Sequence, residues 1–78
     1  MAWLDVFWSD ENKAHLRLHG VSPQEAEYVI HNPIASDVSD STDRPIVFGY
    51  TVSGRKLAVV YEFIDAVTVY PITAYDVE

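Results

Sequence analysis

Three absences narrow what this chain of 78 residues can be. It has no cysteine, which excludes disulfide staples and thiolate chemistry. Cations are scarce: five Lys and Arg against twelve Asp and Glu give a formal charge of -7, which repels a polyanion at long range. That balance weighs against an RNA-binding surface and favours a basic partner protein, with a merely solvated acidic surface as the plainer alternative. Long apolar runs are missing too, since no stretch approaches the roughly 20 residues that span a bilayer and none resembles a signal peptide. The expected setting is the cytoplasm, without a membrane.

What is present fits a single domain over residues 1–78. A hydrophobic content of 49% with 13% aromatic residues supports a real but limited core, at a size where a partner or dimer contact often helps.

The densest signals lie in residues 8–26. Ser9 is suited to cap a helix, because its hydroxyl can accept from the unpaired amides of the first turn, and Asp10 and Glu11 suit the positive end of the helix dipole. Gly20 tolerates the left-handed conformation that closes a helix, so the first helix should cover residues 10–19. Ser22 and Glu25 then form a capping box around Pro23 at the first helical position, with Val21 stapled to Ala26, and open a second helix over residues 23–31. Its core face is Ala26, Val29 and Ile30, and Asn32-Pro33 ends it.

Strands are expected elsewhere. Residues 3–8 read as a first strand and residues 34–44, polar and acidic, as a mobile loop. In residues 46–52, Ile46, Phe48, Tyr50 and Val52 share one face; after the Ser53-Gly54 turn, Leu57, Val59, Tyr61 and Phe63 alternate along a strand apolar on both sides, hence central. Pro71, within the last strand over residues 67–75, cannot donate to a ladder and demands an edge or a bulge. The order is β-α-α-β-β-β: an α+β domain with two helices packed on a mostly antiparallel, twisted sheet.

On a helical wheel Asn12, His15, Leu16 and His19 share one side of the first helix, Ala14 and Leu18 lie far from them, and Lys13 and Arg17 form a third stripe. One of the two leucines must therefore be poorly buried. Two imidazoles four residues apart remain on one face.

These residues carry a resemblance. Trp8 and Asp10 before a helix, then His19-Gly20-Val21, Ser22 and the Glu25-Ala26 helix, look like the N-terminal signature of the BrnT-type toxins, small bacterial proteins of the RelE-like ribonuclease superfamily. GRKLAVVY over residues 54–61 and Ile72-Thr73-Ala74 also resemble that family. The resemblance implies the toxin of a type II toxin-antitoxin system, an endoribonuclease that inhibits translation until a cognate antitoxin covers it. Leu18 and Tyr75 stand where many of these toxins have Lys and Arg. The alternative is a toxin-like interaction module that keeps the partner surface without catalysis.

RNA cleavage of this type needs a group to activate the ribose 2'-hydroxyl, cations for the developing phosphate charge and an acid for the leaving oxygen. His19 and His15 are the acid-base candidates, Arg55 beside Gly54 can grip phosphate through its planar fork, and Tyr61 is a fourth catalytic candidate. Lys13, Arg17 and Lys56 are the candidate RNA contacts. On this reading Arg55→Ala removes cleavage while folding stays intact. Each has a plainer role: His19 and His31 as dipole partners at helix ends, Arg55 as a solvated strand end, Tyr61 as core. His15 and His19 have metal-ligand spacing, but no Glu lies between them and no third ligand is evident, so neither a metal nor a cofactor is expected. Self-association through the last strand, with Thr68, Tyr70 and Ile72 at an edge, is a further partner option.

Overall fold

The computed structural model describes residues 4–38 and 43–77. The elements run β1 (Asp5–Val6), α1 (Asp10–Leu18), α2 (Pro23–His31), β2 (Ala35–Val38), β3 (Pro45–Tyr50), β4 (Lys56–Phe63) and β5 (Thr68–Asp76). They form an α+β domain whose five-stranded mixed sheet has the order β1-β5-β4-β3-β2; β1 and β5 are parallel and the other pairs antiparallel. No helix among the described residues is long and apolar enough to cross a membrane.

Both caps form as their residues dictate. Asn12 N–H donates to Ser9 Oγ at 3.3 Å and Ser9 N–H to Asn12 Oδ1 at 2.7 Å, while Glu25 N–H donates to Ser22 Oγ at 3.2 Å and Ser22 N–H to Glu25 Oε1 at 3.1 Å. Each cap contributes about 1 kcal/mol. Between them Gly20, at φ +71°, closes α1: its N–H bonds the Arg17 carbonyl at 2.9 Å and Val21 N–H reaches back to Leu16 at 3.1 Å. This pair of bonds is a Schellman stop, whose usual apolar contact joins the residues corresponding to Val21 and Leu16, both buried here.

The helices cover one face of the sheet. Leu16, Val21, Ala26, Val29 and Ile30 pack against Val47, Leu57, Val59, Tyr61, Val69 and Ala74. Complete burial of one Leu or Val stabilises by about 1.5–3 kcal/mol, so this cluster supplies the main driving force. Leu16 is fully buried and Leu18 is 81% exposed, which answers the choice between the two leucines.

The sheet differs from the sequence expectation in one shortened element and one added one. Of the strand expected over residues 3–8, only Asp5–Val6 among the described residues pairs in the sheet, against Thr68 and Val69 of β5. Ala35–Val38, inside the segment expected to be a loop, pairs with β3 as a fourth strand after the helices. Ala, Ser and Asp have little intrinsic strand preference, so this pairing comes from the exposed edge of β3 rather than from local propensity. Residues 39–42 of that expected loop, and Trp3 of the expected first strand, lie outside the described residues. β4 is central, as its two apolar sides imply. Pro71 resolves into the bulge: the register slips where Val60 pairs with Thr73 but Tyr61 pairs with Pro71. The last strand is no free edge at its start, because Thr68 and Val69 pair with Asp5 and Val6.

Candidate functional site at the helix corner

The Schellman stop and the capping box place the end of α1 beside the start of α2, and the histidines ride on that end. His15 and His19 are both exposed, with ring centroids 5.7 Å apart and planes tilted by 55°. Lys13 and Arg17 line a recess of about 300 Å³ between α1 and the first turn of α2, facing Ser22 and Pro23. Lys13 also makes a loose exposed pair with Asp10 at 3.9 Å. A smaller recess of about 210 Å³ is lined by His15, Glu11, Asn12, Tyr70 and Ile72.

Arg55 reaches the same corner from the turn before β4, but through the backbone. Its Nη1 donates to the Gly20 carbonyl at 2.7 Å and its Nη2 to the His19 carbonyl at 3.2 Å. Its Nε donates to Asp76 Oδ1 and its Nη2 also to Asp76 Oδ2 at 2.8 Å, with Glu25 at 3.5 Å from Nη1. The planar fork is thus occupied on every side by β5, the α2 capping box and the carbonyls left over at the end of α1. Its hydrogen bond to Asp76 raises the Arg55 pKa, with burial opposing. The same bond holds the Asp76 carboxyl below its ordinary range.

This geometry changes one expectation. A guanidinium engaged this way is a clasp that holds the corner, so Arg55→Ala cannot leave the fold untouched. The remaining candidates divide. Lys13 and Arg17 line one recess of α1 and His15 another, with His19 at the C-cap of α1 and Arg55 behind the corner. Tyr61 is buried in the core, edge-on to Phe63 with ring centroids 5.6 Å apart, and burial pushes its hydroxyl pKa up. Lys56 pairs across strands with Tyr50 on the sheet face turned away from the helices. Tyr61 and Lys56 are therefore not brought to the α1 surface.

Sequence reasoning missed the partners. Asp76 lies 21 residues from Arg55, and no spacing rule links them. Glu25 was legible as a capping residue but not as a second anchor for Arg55. Trp8 Nε1 donates to Glu27 Oε1 at 2.6 Å, and Ser9 Oγ shares a 3.0 Å hydrogen bond with Tyr70, tying α1 to α2 and to β5. His31 Nε2 donates to the Leu4 carbonyl at 2.8 Å, so it ties the residue before β1 to the end of α2. No group of three His, Asp or Glu among the described residues is arranged to hold a metal ion. A separate, largely apolar recess of about 500 Å³ opens between Gln24 and Tyr28 of α2 and residues 51–53.

Comparison with known protein families, with curated proteins and with solved structures brings no match for this chain.

Proposed function

We propose that the chain is the toxin member of a type II toxin-antitoxin pair, an RNA-cleaving inhibitor of translation that a cognate antitoxin neutralises. One observation supports this reading most: two exposed imidazoles side by side at the end of α1, while Lys13 and Arg17 line a separate recess on another stripe of the same helix. Two such rings suffice for phosphodiester transesterification. One takes the proton of the ribose 2'-hydroxyl as its oxygen attacks phosphorus; the other gives a proton to the departing 5'-oxygen, leaving a cyclic phosphate. Lys13 and Arg17, in their separate recess, would hold the RNA backbone at a phosphate away from the reacting one. Arg55 acts through another group, fixing the carbonyl of His19 and so the place from which its ring projects.

The second reading, an interaction module without turnover, is supported by the same clasp. Arg55 has no donor left for a phosphate, and the net charge of -7 suits a basic protein better than RNA.

The test adds purified protein to a bacterial cell-free translation reaction and maps mRNA ends by primer extension. His15→Ala and His19→Ala are clean controls, because both side chains are exposed and neither ring is in the core. New ends that fall by about 10²–10⁴-fold in either variant fit the ribonuclease. Intact mRNA and undiminished translation at high protein concentration select the interaction module.

A further inference from the structure

The sheet face opposite the helices carries an inference that does not rest on the RNA chemistry. Gly49 lies against α2, its position for a Cβ only 3.2 Å from Val29 Cγ1. Alternation therefore turns Phe48, Ile46 and Tyr50 to the other side. Cross-strand pairing completes rows there: Tyr50 beside Lys56, Phe48 beside Ala58, Ile46 beside Val60. At the far end Arg44 pairs with Glu62 at 3.4 Å. No helix among the described residues packs on this face; in its two apolar middle rows Ala58 and Val60 are already buried among their strand neighbours while Ile46 and Phe48 stay partly exposed, and Tyr50 beside them is 48% exposed.

The order of these rows identifies what fits. Along β4 the face reads cation, two apolar residues, anion: Lys56, Ala58, Val60, Glu62. We infer that this face receives a second copy of the chain, sheet on sheet, about a twofold axis that runs across the strands. That rotation sets the two β4 strands antiparallel, so Lys56 of each copy lies over Glu62 of the other, twice by symmetry. The same operation lays Phe48 of one copy over Ile46 of the other and Arg44 over the ring of Tyr50, a cation-π arrangement. Face-to-face sheets pack about 10 Å apart, a gap that side chains of this size fill. A basic peptide would suit Glu62 but meet Lys56 and Arg44, and an acidic one the reverse. A self-complementary partner satisfies both ends.

Sedimentation equilibrium on the full chain, from micromolar to millimolar concentration, gives the test. Wild type forms a dimer. Lys56→Glu sets Glu over Glu62 and Glu62→Lys sets Lys over Lys56, and each single change weakens the dimer by about tenfold or more, since both symmetric contacts turn repulsive. The double variant K56E/E62K restores the opposite-sign pairs and recovers most of the wild-type affinity. The positions are not in the core, and circular dichroism verifies that each variant is folded. A wild type that stays monomeric across the whole range overturns the inference, as does a dimer that neither single change weakens or that the double variant fails to rescue.

Discussion

Arg55 Nη1 and the Gly20 carbonyl meet at 2.7 Å across 35 residues of sequence, joining the turn before β4 to the corner between the helices. A Schellman stop satisfies the carbonyls of Leu16 and Arg17 but leaves those of His19 and Gly20 for another donor. The fork of Arg55 takes both and places a positive charge at the negative end of the α1 dipole. His19 is therefore held from behind through its own carbonyl.

Removing that clasp costs stability. Arg55→Ala should lower the free energy of unfolding by about 1–3 kcal/mol, the range for hydrogen bonds lost from a charged group, and Arg55→Lys should recover less than half because an ammonium cannot present a planar fork to four partners. Urea midpoints measure both. An unchanged midpoint for Arg55→Ala would show that the clasp is ornamental. A loss of cleavage in this variant would by itself say nothing of phosphate binding.

The pH dependence follows from Asp76. The Arg55 hydrogen bond holds its carboxyl below the ordinary 3.8, burial opposing and the Arg55 charge assisting. A carboxyl depressed in the folded state binds fewer protons there than in the unfolded chain. Its contribution is complete above the ordinary carboxylate range and is lost as pH falls through the depressed value. Asp65, depressed chiefly by the Val67 amide, adds a loss of the same sign. Thermal melts from neutral pH into the acid should show the wild-type Tm falling below about pH 4, and Asp76→Asn should lower Tm at neutral pH while flattening that fall. Parallel curves for wild type and Asp76→Asn would contradict the linkage.

Local rules made both helices legible, because Ser9, Gly20, Ser22 and Pro23 act on backbone within four residues of themselves. The central place of β4 was legible from its two apolar sides, and Pro71 from its missing N–H. β2 was not, because Ala35–Val38 is a strand only by virtue of the β3 edge beside it. The site divides the same way. Sequence spacing puts His15 and His19 on one face, but the role of Arg55 depends on Asp76 and Glu25, brought to it by the sheet register and the corner. Side-chain type alone made Arg55 look available for phosphate.

Gly49 tests how closely α2 sits on the sheet. A Cβ there would come within 3.1 Å of the Asn32 carbonyl oxygen and 3.2 Å of Val29 Cγ1, and the first neighbour is backbone. Gly49→Ala should therefore destabilise by about 1–3 kcal/mol through overpacking, even though alanine is otherwise no worse than glycine in a strand. Gly54, at φ +89° with nothing within 4 Å of its added Cβ, should instead pay only in backbone strain, about 1–2 kcal/mol for Gly54→Ala. Chemical denaturation of both separates the causes: a Val29→Ala background should relieve part of the Gly49→Ala penalty and none of the Gly54→Ala one.

Leu18 offers a direct probe of the ribonuclease reading. It is 81% exposed on the last turn of α1, one residue before His19, where the resemblance implies a lysine. An apolar side chain so placed contributes little to folding, and lysine is an equally good helix former that also suits the negative end of the dipole. Leu18→Lys should thus change stability by less than about 0.5 kcal/mol. Under the toxin reading the added cation, one residue before His19 in the chain, adds positive charge near the reacting phosphate and steadies the charge growing on it, so cleavage in the translation assay should rise by about tenfold or more. That gain should disappear when His19→Ala is added. Cleavage that rises but persists without His19 would move the chemistry to another residue, and a folded Leu18→Lys variant no more active than wild type would remove this end of α1 from the reaction.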